Sequence, residues 1–295
     1  MNPLRSATVV VADAEAAAAR YVDHLDHRLI ERGVVPAALA QRWGAPASAG
    51  RRYTVVRPAS GRAVDLRFVE GHPMPGLRPL RTFGWAALEL CVQDVHAVHA
   101  RLRGGPFDIV GPPTANPGLP SIHPMQVCGP DGEFVYLTQI LQGGPGSGLP
   151  DARSPVDVLF IAVLACADLD ASARWCADVL GLRLQAPLDI PYRMLNRAFE
   201  LPELQRHRIV CAEHAGELCV ELDQYPAGAV PRPVHDGQLP PGVALVTLTH
   251  PDLSAIPGDW LAPPQPLGGA IYEGRRVGVL RSPEGALFEV MEEAR

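Results

Sequence analysis

Lysine is missing altogether, so all 26 basic residues are arginine. Schiff-base catalysis, lysine-anchored pyridoxal phosphate and a P-loop are excluded by that absence, whereas arginine stays available to grip carboxylates and oxyanions. The six cysteines, at 91, 128, 166, 176, 211 and 219, form no C-x-x-C pair, which argues against a zinc ribbon or a redox dithiol. They read as small buried hydrophobes. No run of basic residues interrupts a chain of net charge −6, so neither nucleic acid nor an anionic membrane is an expected partner. The longest apolar run, Val158 to Ala167, is strand-sized and too short to span a bilayer. Residues 1–20 lack a charged leader followed by an apolar core and a small-residue cleavage site, so the expectation is a soluble cytoplasmic protein.

What is present, 47% hydrophobic and 20% charged residues over 295 positions, suffices for two ordinary globular domains. An internal repeat organises it. A short apolar strand, an aspartate and an amphipathic helix recur as TVVVAD-AEAAAARYVDHL, LELCVQD-VHAVHARL and IAVLACAD-LDASARWCADVLGL, with a fainter copy in ALVTLTHPD-LSAIPGDWL. Asp13, Asp94, Asp168 and Asp252 stand where a helix N-cap is needed. In the third copy Ala173, Cys176, Leu180 and Leu184 follow helical spacing, and Gly181 supplies the stop. After each helix the pattern changes to alternation, giving hairpins around Pro58–Gly61, Gly129–Gly132, His214–Gly216 and Ser282–Gly285. The glycine- and proline-rich GGPGSGLPDARS between Gln142 and Pro155 reads as a connector. The expected domains are therefore 1–142, holding modules one and two, and 154–295, holding modules three and four, joined by 143–153. A second proline-rich stretch, YPAGAVPRPVHDGQLPPG, separates modules three and four and reads as a surface excursion or a cover for a cavity.

Together these features resemble the vicinal oxygen chelate superfamily, which includes glyoxalases, bleomycin-resistance proteins and extradiol dioxygenases. Asp168-Leu169-Asp170-Ala171-Ser172 followed by Trp175 to Leu182 is similar to the family's "D-L-x-x-S-x-x-F-Y-x-x-V-L-G-L" helix, with Trp175-Cys176 replacing Phe-Tyr. Gly129-Pro130-Asp131-Gly132 and Ser282-Pro283-Glu284-Gly285 are similar to its "D-P-D-G-N" hairpin. The resemblance implies an α+β fold of four βαβββ modules, paired into two tandem domains with curved mixed sheets.

Metal-dependent members, as the resemblance implies, place a histidine about seven residues before the module's aspartate and a glutamate four residues after the hairpin glycine. Here the first count reaches Ser6, Ala87, Ile161 and Leu245, and the second reaches Asp65, Tyr136, Glu289 and, in module three, Val220 beside Glu221. Two neutral nitrogen donors are lost, so no cofactor is expected, although a divalent metal with displaced ligands stays open. Asp65 and Tyr136 would share the cavity of the first domain, and Glu221 and Glu289 that of the second. Glu289 is the expected catalytic group, a buried acid suited to proton transfer, set against a surface carboxylate on an edge strand. Tyr192, Arg193, Tyr272 and Arg275 could add aromatic contact and an anion clamp, or only pack strands. His123, in a loop-like segment, joins the binding candidates. His24 with His27, and His96 with His99, have i,i+3 spacing on helices and read as solvated surface pairs.

Two function classes follow. One is an enzyme doing isomerase, lyase or hydrolase chemistry beside a carbonyl of a small oxygenated substrate. The other is a non-catalytic drug or metabolite binder of the bleomycin-resistance type. The chain is expected to be a monomer or homodimer.

Overall fold

The computed structural model describes residues 2–115, 119–143 and 147–294. Module one runs β1 (Leu4–Val11), α1 (Ala14–His24), β2 (His27–Val34), α2 (Ala37–Arg42), β3 (Arg52–Pro58) and β4 (Asp65–Glu70). Module two comprises β5 (Gly84–Val92), α3 (Val95–Leu102), β6 (Asp108–Gly111), β7 (Ile122–Cys128) and β8 (Phe134–Ile140). Module three comprises β9 (Val156–Cys166), α4 (Leu169–Leu180), β10 (Arg183–Leu184), β11 (Leu188–Pro191), α5 (Arg193–Phe199), β12 (Arg206–His214) and β13 (Glu217–Gln224). Module four comprises β14 (Gly242–His250), β15 (Ala262–Pro266), β16 (Arg276–Arg281) and β17 (Leu287–Glu292). Among these described residues no helix is long and apolar enough to cross a membrane.

Each expected cap is made. Asp13 accepts from Ala16 N, Asp94 from His96 N and Ala97 N, Asp168 from Ala171 N, and Asp252 from Ser254 N. Gly181 closes α4 in the left-handed region, at φ 64°, a conformation that costs glycine nothing. Module four departs from the repeat. Its aspartate caps only a single 3₁₀ turn, Leu253–Ala255, because Pro257 and Gly258 follow at once and cannot propagate a helix. His27 also departs from its expected place. It lies on β2 rather than on a helix, is buried, and points Nδ1 at the Leu25 carbonyl.

The four modules build two curved mixed sheets, but the partners are not neighbours in the chain. An eight-stranded sheet has the order β15-β16-β17-β14-β1-β4-β3-β2, and a nine-stranded sheet has β10-β12-β13-β9-β5-β8-β7-β6 with β11 paired to β12. Module one therefore joins module four through antiparallel β1 and β14, and module two joins module three through antiparallel β5 and β9. This corrects the expected pairing of one with two and three with four. Chain neighbours meet instead through their helix-bearing faces. Tyr21 of α1 stacks edge-on against Phe107 of module two, and Arg20 pairs with Asp131 in that module's hairpin. Trp175 of α4 packs on Phe288 of module four, 5.1 Å between ring centroids. One hydrophobic core runs through both sheets and α1, α3 and α4, so the opposite faces of the two sheets remain as separate candidate sites.

The pairing carries a prediction. A fragment of residues 1–142 keeps modules one and two but leaves β1 without β14 and β5 without β9, exposing two long apolar strand edges. It is expected to give a poorly dispersed amide spectrum and to aggregate, whereas a dispersed, monomeric spectrum would show that the two modules close a sheet by themselves.

Candidate functional site

The face of the eight-stranded sheet away from α1, α3 and α4 is closed over a buried ion pair. Parallel pairing aligns Thr8 with Arg67 and Thr247 with Glu289, while Ser6 stands opposite Thr247. Glu289 is fully buried and both its oxygens are engaged. Oε1 accepts from Trp43 Nε1 and from Tyr272 OH, each at 2.7 Å, and Oε2 accepts from Thr247 Oγ1 at 2.7 Å. Arg67 lies 3.7 Å from Oε2, donates to Thr8 Oγ1 and Tyr272 OH, and sits 4.6 Å from the centroid of the Trp43 ring. Thr247 accepts in turn from Ser6 Oγ. Both oxygens of Glu289, expected as the catalytic group, are thus taken up by protein donors and closed off from solvent. Asp65 is similarly occupied, bound by Arg5 at 2.6 Å and by Arg57 at 2.7 Å with no exposed surface.

The corresponding face of the nine-stranded sheet is built differently. Parallel pairing sets Glu89 beside Tyr136 and Val163 beside Glu221, with Asp223 two residues further along β13. Ala87, Cys91, Tyr136, Phe160, Ile161, Val163 and Met194 form its apolar lining, and α5 with Tyr192 covers it. Three carboxyl groups stand on this surface. Glu89 is buried and accepts from Thr138 Oγ1. Burial, and then the charge of Glu221, push its pKa up to about 8. Glu221, which keeps some exposed surface, and the wholly buried Asp223 point the same way from one strand. Burial raises both above the usual carboxylate range, and the charge of Asp223 raises Glu221 further. Neither oxygen of Asp223 meets a partner in full hydrogen-bond geometry among the described residues, although Glu221 and Tyr192 stand close enough to act on it. Among the described residues no arginine is among the charges acting on any of the three. Around them stand Tyr225 and the pair Tyr136 and Tyr192, whose hydroxyls are 2.8 Å apart.

Neither face fits the divalent metal that the fold suggests. In the first, an arginine guanidinium faces the glutamate and the first-strand positions hold Ser6 and Leu245. In the second, Ala87 and Ile161 fill the histidine positions. Among the described residues no three His, Cys, Asp or Glu side chains converge on a common point suited to a metal.

The expected residues are thus redistributed. Glu289, Asp65, Tyr272 and Arg275 belong to the eight-stranded sheet, and Tyr136, Tyr192 and Glu221 to the nine-stranded one, so Asp65 does not share a cavity with Tyr136, nor Glu221 with Glu289. The cause is the module pairing. Arg193 is half exposed and faces Glu203 at 3.5 Å, because it begins α5 on the solvent side. Arg275 turns back to Glu273 at 3.0 Å. His123 lies on β7 with its ring 5.0 Å from His96 of α3, which puts it on the helix-bearing face. Four residues of these two faces do not follow from the repeat's motif positions. Counting four from Gly61 lands on Asp65, whereas strand register makes Arg67 the counterpart of Glu289, because the turn before β4 is longer in module one. Trp43 sits in an insertion outside the repeat. Glu89 and Asp223 each lie two residues beyond a position that was reached, Ala87 and Glu221. Alternation along β5 and β13 is the signal that could have found them.

No family model matches the chain, and no curated protein matches it in sequence. Solved structures do match in fold. A point mutant of glyoxalase I from Zea mays superposes with a TM-score of 0.65 at 16% identity, covering 98% of this chain and 93% of that one. Glyoxalase I from the same plant gives 0.63 at 16%, covering 98% and 92%. A candidate dioxygenase from Bacillus subtilis gives 0.64 at 12% identity, covering 100% and 86%. The chain has the two-domain vicinal oxygen chelate fold over its whole length.

Proposed function

We propose that the protein is an enzyme that moves a proton on a small oxygenated substrate at the acidic face of the nine-stranded sheet. The observation that carries this reading is the trio Glu89, Glu221 and Asp223, gathered without a counter-cation among the described residues, two of them buried and Glu221 keeping some exposed surface. Packing alone disfavours such a cluster, since buried carboxylates without a counter-charge cost stability. Burial lifts Glu89 to about 8 and Asp223 to about 7 and raises Glu221 in the same direction, and general acid–base catalysis is most effective where a group's pKa lies near the working pH.

The step the site supports is abstraction of a proton beside a carbonyl. An ionised member of the trio takes the proton from carbon, and the C–H electron pair moves into the C–C bond as the carbonyl oxygen gains charge. Of the paired Tyr136 and Tyr192 hydroxyls, one donates to that oxygen while the other donates to its partner. Return of the proton to the same or another carbon gives exchange or isomerisation, and loss of a β-leaving group gives lyase chemistry. The fold shared with a glyoxalase I supports an enzyme in general terms. The donor set gives no step to a metal, and stoichiometric iron, manganese or zinc retained after dialysis would oppose this reading.

The test is exchange of the α-proton of a panel of small 2-oxo acids and hydroxyketones in D₂O, followed by proton NMR. The intact protein is expected to exchange at least one compound, with Glu89→Gln and Glu221→Gln each slower by about 10²–10⁴-fold. Exchange surviving unchanged in both variants would refute the assignment. Tight binding without exchange of any compound would favour the sequestering binder instead.

A further inference from the structure

A cavity of about 400 Å³ lies away from the acidic face, where the two sheets meet beneath the segment 226–241. Its volume falls within the range of about 300–1,000 Å³ typical of small-molecule sites. Trp43, Trp85 and Leu287 form the floor, Arg232 stands on the covering segment, and Arg281 and His235 stand at the rim. The cover is pinned by reciprocal bonds, Phe83 N to the Val230 carbonyl and Val230 N to the Arg81 carbonyl.

Arg232 is the unusual member. Its guanidinium donates to Thr82 Oγ1 and to the carbonyls of Pro241, Val243 and Trp85. Every one of these acceptors is neutral, and one of the five N–H groups is left over. Among the described residues no carboxylate is among the groups acting on it. The two carboxylates that line the same cavity are engaged elsewhere or remote. Glu284 is held by Ser172 and Ser282, and Asp236 is exposed on the cover. A cation largely withdrawn from water without a counter-charge is costly. Arg281 adds a second guanidinium, exposed at the rim and, among the described residues, tied only by NH1 to the Gly285 carbonyl.

We propose that this cavity is a binding site for a small carboxylate, whose anionic head pairs with Arg232 and Arg281 while its apolar body rests on the tryptophan floor. The site is separate from the proton-transfer face, so either assignment can fail without the other.

The probes are sodium benzoate and its neutral isostere benzamide, titrated into the full-length protein and read by calorimetry and by quenching of tryptophan fluorescence. Benzoate is expected to bind saturably and at least tenfold more tightly than benzamide. Arg281→Gln, a change at an exposed position, is expected to weaken benzoate about fivefold and leave benzamide unaffected. Arg232→Met, if it folds, should abolish the preference between the two. Equal affinity for benzoate and benzamide, no saturable benzoate binding, or an unaltered preference in Arg281→Gln would overturn the proposal.

Discussion

Truncation of Arg67 to alanine is expected to destabilise the fold by about 3–5 kcal/mol. The side chain is 3% exposed and lies within a closed network containing Glu289, Tyr272, Thr8 and Trp43. Removing it strands the Glu289 carboxylate in a site with no exposed surface and leaves Tyr272 OH without its donor. Glu289→Ala should cost a similar amount for the converse reason. The double variant Arg67→Met with Glu289→Leu should recover most of the loss, because a buried pair replaced by apolar groups of like volume is often neutral in stability. Urea unfolding of the three variants measures this. Single changes costing less than about 1 kcal/mol would show that the pair is wetter and less coupled than the structure makes it.

Raising the pH should weaken the fold through the acidic face. Glu89, held at about 8 in the folded protein against about 4.3 in an unfolded chain, binds more protons folded than unfolded throughout that interval. Its contribution to stability is therefore whole below the unfolded value and is lost as pH rises through the folded one, at about 1.4 kcal/mol per pH unit. Glu221 and Asp223, also raised by burial, act with the same sign. His27 acts oppositely, because burial lowers it to about 4, so the unfolded chain takes up the proton first and stability grows until about pH 6.5. Comparison with Glu89→Gln removes that background. The stability of this variant relative to the parent should rise by about 3–4 kcal/mol between pH 5 and pH 8. Parallel pH profiles would mean that Glu89 titrates as an ordinary carboxylate.

The repeat, its caps and its hairpins were legible because each rests on local chemistry. Asp13, Asp94, Asp168 and Asp252 cap where they stand whatever surrounds them, and Gly181 stops α4 by its own backbone freedom. Partner choice was not legible. First strands such as β1 and β9 are buried along their length, so nothing in their apolar pattern distinguishes β14 from β5 as the neighbour of β1. The candidate site followed the same division. Glu221, Tyr136 and Tyr192 were found in the sequence, but they meet Glu89 only because module two pairs with module three. For Glu289 the sequence left a buried and a surface position open, and what register could not show was the arginine opposite it, since Arg67 lies beyond a turn of altered length.

The acidic face is the central claim, and it can be measured without knowing the substrate. Titration of protein labelled with ¹³C at the glutamate side-chain carboxyls, followed by NMR, should show one resonance with a midpoint near pH 8 that vanishes in Glu89→Gln, and a second raised resonance that vanishes in Glu221→Gln. Resonances of Glu89 and Glu221 titrating below about pH 5, the range of an ordinary exposed carboxylate, would contradict the account.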